Sequence, residues 1–393
     1  MEEMQKLIVE IASELIKTPG HNELDEYERN TALKMAELLR NHGVDCEISE
    51  AAEGRLNVTA KIKGGNGPRL LLTTHLDTVP PGGMADAYNP VVRDGYLYGR
   101  GAVDVKGPLA SMAAVMIYLK KQNITPPGDV LFAGVAGEES GSVGMRALVR
   151  SSDLRPDIAV ICEPTWLEVC AAHNGIIWAE VEFFGKAAHG SMPDAGINAV
   201  YKANDFIHLL REKLLPELAG RRHPLTGPST LNIGFIQGGT RPTIVPASCV
   251  VRFDRRFIPG ETRESVVHEL TGQLEELRRN DPDFQYGLKV LLGGADEPLP
   301  PLDTPSGHPM IEKVCAAASR VLGKQLTVKG MPGWTDAALA NAFWNVPAVI
   351  VGPGDMSKAH SDDECVELQQ LFDAYRLYMD LALNIGKKEE TDS

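Results

Sequence analysis

Residues 70–80, Leu70-Leu71-Leu72-Thr73-Thr74-His75-Leu76-Asp77-Thr78-Val79-Pro80, decide how this chain is read. The apolar run at the start has the character of a buried strand, and that character stops where His75 and Asp77 stand. Alternate residues of an extended chain share a face, so these two side chains lie together. The pairing suits a metal-binding imidazole whose second ring nitrogen donates to a carboxylate, which fixes the tautomer and raises basicity. An isolated pair of this kind is more often a surface histidine at a strand end. The stretches downstream raise this one above that.

Residues 129–136 form a second apolar strand, and at its end stand Glu138-Glu139. Residues 157–162 form a third, ending in Glu163-Pro164. Between the first and second, residues 96–99 lead through Gly99-Arg100-Gly101-Ala102-Val103 to Asp104, and 106–121 is a helix-like segment rich in Ala, Met and Leu. Apolar strands alternating with helices predict an α/β fold with a mostly parallel central sheet covered on both faces. Ligands of such sheets bind outside the carboxyl ends of the strands. Three separate strands that each end in a metal donor therefore point to one shared site.

Upstream, residues 4–16 and 25–41 carry helical spacing, and a strand at 57–63 is joined to 69–74 by the turn Gly64-Gly65-Asn66-Gly67-Pro68. Beyond Asn174-Gly175 the texture changes. Strands at 176–184, 229–237, 249–257 and 284–292 and helices at 199–218 and 262–279 follow the β-α-β-β-α-β plan of a ferredoxin-like module. After Gly293-Gly294 and a proline-rich stretch, helix and strand alternate again through 309–383. The expected organisation is a discontinuous larger domain, 1–175 with 295–393, carrying an inserted α+β module at 176–294. Residues 387–393 read as a charged tail.

Bulk properties exclude several functions. A length of 393 residues allows about two to three domains, and 43% hydrophobic with 23% charged residues is ordinary for a globular protein. Net charge is −14, from 39 basic and 53 acidic residues. Nucleic acid and anionic membrane both require a basic face, so neither is expected as a partner. The cysteines, Cys46, Cys162, Cys170, Cys249, Cys315 and Cys365, show no C-x-x-C spacing, which indicates reduced thiols and not a disulfide framework or thiolate zinc site. Glu2, Glu3 and Glu10 interrupt the N-terminal apolar residues, unlike a signal peptide, and no apolar run approaches the ~18–20 residues of a membrane span. A cytoplasmic location is expected.

His75, Asp104, Glu139, Glu163 and His360 are the candidate metal ligands. All are nitrogen or carboxylate donors, which suits zinc and related divalent ions. Five such side chains exceed the needs of one tetrahedral ion, and a carboxylate can bridge two, so a dinuclear centre clamping a shared water is the natural reading. Adjacent glutamates diverge, so Glu138 and Glu139 make sense as two roles. One binds metal, and the other, uncoordinated, takes a proton from the metal-bound water.

Together, His75-Leu76-Asp77, Gly99-Arg100-Gly101-Ala102-Val103-Asp104-Val105-Lys106-Gly107, Gly137-Glu138-Glu139, Cys162-Glu163-Pro164-Thr165 and Ala359-His360-Ser361 resemble, in order, the motifs of the dinuclear zinc amidohydrolases and peptidases. That family includes acetylornithine deacetylase, succinyl-diaminopimelate desuccinylase, aminoacylase and glutamate carboxypeptidase. The resemblance spans almost the whole chain, and it makes the inserted module a lid and dimerisation domain. It implies that Asp104 bridges two metals, that His75 and Glu163 complete one, and that Glu139 and His360 complete the other. Glu138 would be the general base and later the acid, and Asp77 would orient His75. In Gly185-Lys186-Ala187-Ala188-His189-Gly190-Ser191, the resemblance implies that His189 reaches across a homodimer to stabilise the oxyanion.

Substrate contacts are expected from Asn232, Gly239, Arg256 and Thr335, which lie in or beside stretches resembling family motifs. In Asp254-Arg255-Arg256, alternation puts Asp254 and Arg256 on one face, so Arg256 either captures a substrate carboxylate or forms a strand ion pair with Asp254. The remaining histidines, among them His173, read as surface or core. The expected function is metal-dependent cleavage of an N-acyl amino acid, with two ions, zinc or alternatively cobalt or manganese. A dipeptidase or carboxypeptidase using the same centre is the alternative, and a non-catalytic binding module a third reading. The latter is disfavoured by the presence of every ligand and the base.

Overall fold

The computed structural model describes residues 2–150 and 154–386; the charged segment 387–393 lies outside the described residues. The chain separates into two compact units. One comprises Met1–Ala171, Asp303–Met331 and Thr335–Ser393, and the other Ala172–Leu302 with Pro332–Trp334. The borders near the insert therefore lie at 171/172 and 302/303, beside the sequence-based 175/176 and 294/295.

The first unit is built on a mixed sheet. Its strands run in the order Cys46–Ala52, Arg55–Ile62, Val130–Val135, Leu70–His75, Ile158–Ile161, Ala348–Ile350 and Cys170–His173. The four central strands, from Val130–Val135 to Ala348–Ile350, are parallel to one another. The flanks are antiparallel, which makes the sheet less parallel than expected. The reason at one flank is a hairpin: Cys46–Ala52 and Arg55–Ile62 are joined by a tight turn through Gly54, at φ +74°. Such a short link permits only antiparallel pairing.

The parallel strands are buried along their whole length, as strands covered on both faces must be. Helix Lys106–Lys121 is the central cover, and residues 106–117 are all buried. Helix Glu2–Ile16 packs its apolar stripe of Met4, Ile8, Ile11, Leu15 and Ile16 into the same core. The helix expected from 25 begins at Arg29, because residues 25–28 form turns instead. No helix among the described residues is long and apolar enough to cross a membrane.

The second unit has the expected β-α-β-β-α-β order. Its sheet runs Thr230–Gly238, Ser248–Phe257, Gly175–Phe184, Gln285–Leu292, all pairs antiparallel. Helix Arg263–Asn280 starts at a capping box between Thr262 and Ser265. The helical stretch expected over 199–218 is interrupted: Ala199–Leu209 passes through a π-turn, Leu210–Leu214, into Leu215–Gly220. Pro216 has no N–H to continue the ladder, which favours the widened turn before it.

Candidate metal centre

Three adjacent parallel strands deliver chemistry at their carboxyl ends. Leu70–His75 ends on His75 itself, Val130–Val135 runs into the short turn Glu138–Ser140, and Ile158–Ile161 runs into Glu163. Asp104 and His360 come from loops tied together by a small antiparallel sheet of Val91–Arg93, Tyr96–Tyr98 and Cys365–Glu367. The Asp104–Val105 peptide in one of these loops is cis.

Asp104 lies between two imidazoles. Its Oδ1 is 3.1 Å from His75 Nε2, and its Oδ2 is 3.1 Å from His360 Nε2. His360 Nε2 is also 2.8 Å from Glu139 Oε1, and His75 Nε2 is 3.8 Å from Glu163 Oε1. Donor atoms of His75, Asp104 and Glu139 lie within 4.8 Å of one another. The structure thus brings together all five residues that the sequence singled out as ligands. Behind them, His75 Nδ1 is 2.9 Å from the Asp77 carbonyl and 3.4 Å from its Oδ1. The Asp77 carboxylate also accepts the backbone N–H groups of Glu138 and Glu139, at 3.1 and 3.2 Å.

So many acidic groups in one buried place disturb each other's ionisation. Burial, reinforced by neighbouring carboxylates, raises Glu138 and Glu163 well above the ordinary carboxylate range and also raises Glu139. Asp104 goes the other way, because hydrogen bonds from His360 and His75 outweigh its burial. Its own hydrogen bonds to Asp104 and Glu139 push His360 up to about 10. Burial opposes the charge on His75, yet Asp104 and Asp77 hold its pKa well above the ordinary value. An anionic cluster that retains protons on its imidazoles is one that a divalent cation would relieve. The donor set of carboxylate and imidazole, with one carboxylate offering an oxygen to each side, fits such ions.

Comparison with known proteins agrees. Residues 71–384 match Peptidase family M20/M25/M40. The chain belongs to this family. It is 29% identical over 372 residues to an acetylornithine deacetylase of Photorhabdus laumondii subsp. laumondii, covering 92% of each chain. Its fold matches that of aminopeptidase PepT from Bacillus cereus with a TM-score of 0.81 at 21% identity, over 98% of this chain and 99% of the other. It also matches a dinuclear metal binding peptidase of the M20 family from Bacillus subtilis, with a TM-score of 0.74 at 18% identity, over 98% and 99%.

The M20 chain also contains buried groups at the site that the sequence reading passed over. Glu364 is fully buried; its Oε1 accepts the N–H groups of Val103 and Asp104, at 3.0 and 3.1 Å, and its Oε2 pairs with Arg100 Nη1 at 2.6 Å. It follows His360 by four residues and so joins the two ligand loops. In sequence it is one of three consecutive acids, Asp362-Asp363-Glu364, which reads as solvated surface. Lys106 is buried as well, donating to the Thr18 carbonyl at 2.6 Å, and burial pulls its pKa down to about 7. Asp336 is buried, and burial pushes its carboxyl up to about 6.

The expected substrate contacts are placed in different settings. Arg256 Nε sits 2.9 and 3.0 Å from the two Asp254 oxygens, the ion-pair arrangement, with both side chains partly exposed. Asn232 is exposed on the neighbouring strand, opposite Asp254 in register. Gly239, at φ +75°, lines a cavity of about 460 Å³ within the inserted unit, together with Gly190, Asn198, Tyr201 and Arg241. Thr335 is buried, and its Oγ1 accepts the Ala337 N–H at 3.3 Å as helix Ala337–Trp344 begins. His189 is exposed. Its Nδ1 accepts the Ser191 N–H at 3.2 Å and pairs with Ser191 Oγ at 2.8 Å, which assigns the proton of the neutral ring to Nε2. His173 proves to be core, bonded through Nδ1 to the Asn174 carbonyl and edge-on to Trp334 at 5.9 Å.

Proposed function

We propose that this metal-dependent amide hydrolase removes the acyl group from an N-acyl amino acid, using two divalent ions held by His75, Asp104, Glu139, Glu163 and His360. The observation that carries the reading is the Asp104 carboxylate, whose two oxygens each face a different imidazole at 3.1 Å. When bound, the ions polarise the scissile carbonyl and make water more acidic. Glu138 takes a proton from the attacking water and returns it to the leaving amine. Burial raises its pKa above the ordinary carboxylate range, which makes it a stronger proton acceptor than an exposed glutamate. Asp77 keeps His75 oriented and holds the backbone of the Glu138–Glu139 turn. His189, with Nε2–H free to donate, stabilises the oxyanion from the partner of a homodimer formed through the inserted unit. Arg256 exchanges its Asp254 partner for the substrate carboxylate, and Asn232, Gly239 and Thr335 are further candidate substrate contacts.

The acyl-amino-acid reading is supported by the acetylornithine deacetylase relative, which matches 92% of the chain. Zinc suits the donors, with cobalt or manganese as alternatives, and the proposed location is the cytoplasm. The test is a panel of N-acetyl and N-succinyl amino acids beside dipeptides, run on metal-reconstituted protein with elemental analysis of the protein as isolated. Preferential cleavage of the acyl amino acids with two metal equivalents per chain is expected. Faster cleavage of dipeptides throughout would replace this reading with the dipeptidase one.

A further inference from the structure

Arg55 lies on the strand Arg55–Ile62, before the region 71–384 that matches the family, and is only 7% exposed. Each of its three guanidinium nitrogens has a hydrogen-bond partner. Nε and Nη2 form a fork on Glu28, at 3.0 and 2.7 Å from its two oxygens, and Nη1 donates to Ser140 Oγ at 2.8 Å. Nη2 also lies 3.9 Å from Asp77 Oδ2. The guanidinium carbon sits over the Tyr27 ring at 4.7 Å from its centroid. A Cβ on Gly137 would stand 2.6 Å from Nη2, so the backbone that begins the Glu138 turn packs directly on the guanidinium.

A buried ion pair is a weak source of net stability, because desolvation offsets most of its attraction. What this pair does supply is a fixed cation with bonds in fixed directions. Glu28 is completely buried and holds the fork in place. From there Arg55 reaches both supports of the turn: the side chain of Ser140 directly, and the Asp77 carboxylate that accepts the Glu138 and Glu139 N–H groups. We propose that Arg55, locked by Glu28, is a positioning residue that fixes the 137–140 turn and so presents Glu138 to the substrate and Glu139 to the metal. This rests on reading Glu138 as the base and Glu139 as a ligand. Small errors in such placement are expensive, about 10²-fold in rate for roughly 1 Å.

Two measurements test it, one of which needs no substrate. Metal-stripped Arg55→Met and Arg55→Lys proteins are titrated with Co²⁺ and followed by visible absorption, with urea unfolding as a check on folding. The kcat and KM values are then taken on whichever panel compound the parent cleaves fastest. Arg55→Met is expected to bind one Co²⁺ equivalent at least about tenfold more weakly and to lose about 100-fold in kcat, with KM within about threefold. Arg55→Lys keeps the charge and is expected to recover about tenfold of that kcat. If Arg55→Met does not fold, Ser140→Ala removes only the Nη1 acceptor, and an altered Co²⁺ spectrum with reduced kcat is expected from it. The proposal is overturned if the folded variants bind Co²⁺ with parental spectrum and affinity and keep parental kcat, whatever happens to their unfolding midpoints. If the parent cleaves no acyl amino acid, the functional reading fails while the Co²⁺ titration still decides the role of Arg55.

Discussion

Asp104 stands between His75 and His360, and without a cation it raises the pKa of both rings, helped by Asp77 at His75 and by Glu139 at His360. A ligand binds metal only after losing its proton, so metal affinity and pH are linked. His360 is raised from 6.5 to about 10, chiefly by Asp104 and Glu139. At neutral pH each cation must therefore displace a proton, and affinity should climb with pH until that group titrates. The metal-free protein carries the opposite dependence. A folded-state pKa above the unfolded value contributes stability that is complete below 6.5 and lost as pH rises through about 10. Competition with a chromophoric chelator should show tighter Zn²⁺ binding with each rise in pH across the neutral range. Urea midpoints of the stripped protein should fall over the same interval, and affinity flat with pH would contradict the ligand set. At this scale the sequence was informative where a residue's neighbours in the chain explain it. His75, Glu138, Glu139 and Glu163 follow apolar strands, and that alone marks them. Glu364, Arg55 and Glu28 are marked by nothing local, because their partners lie far along the chain: Glu28 binds Arg55, and Glu364 binds Arg100 and the Asp104 backbone.

Helix Lys106–Lys121 begins two residues after Asp104, so the packing of its first turn sets where that carboxylate sits. Gly107 N–H bonds to the Gly101 carbonyl at 3.2 Å, and a Cβ there would stand 2.2 Å from the Ala102 carbonyl oxygen. That oxygen belongs to backbone and has no rotamer by which to escape. Gly107→Ala should therefore displace the Asp104 loop, costing about 1–3 kcal/mol or more by overpacking, measured by urea unfolding. Metal uptake should weaken with it. A variant as stable as the parent, with unchanged metal binding, would show the loop to be more compliant than its contacts indicate. Strands and helices of the first unit were legible from periodicity because each buries a continuous apolar face. Sheet direction was less so: hairpin and crossover flanks share the same apolar pattern, and only the short link at Gly54 distinguishes them. The break in the helical stretch after Leu209 was likewise missed, since the apolar spacing continues through the π-turn.

The molecule as a whole is two units with separate cores, and the residues proposed to carry the chemistry are divided between them in sequence: Glu138 belongs to the first and His189 to the inserted one. In the proposed homodimer each reaction site combines Glu138 of one chain with His189 of the other. Removing either group alone should then cripple both sites of the dimer. Glu138→Gln lacks the base, with a loss of about 10²–10⁴-fold, and His189→Ala lacks an oxyanion donor, with a loss of about 10²–10³-fold. Mixed dimers behave differently. When the two variants are unfolded together and refolded in equal amounts, about half of the dimers are hybrids by random pairing. In each hybrid the chain with an intact Glu138 faces the chain with an intact His189, so one of its two sites is complete. The mixture should therefore regain about a quarter of parental activity, whereas each variant refolded alone remains inactive. If His189 serves the site of its own chain, no pairing assembles a complete site and mixing restores nothing. Size-exclusion of the same samples separates that outcome from failure to pair: a dimer without recovery refutes the exchange of His189, and an active monomer refutes it equally.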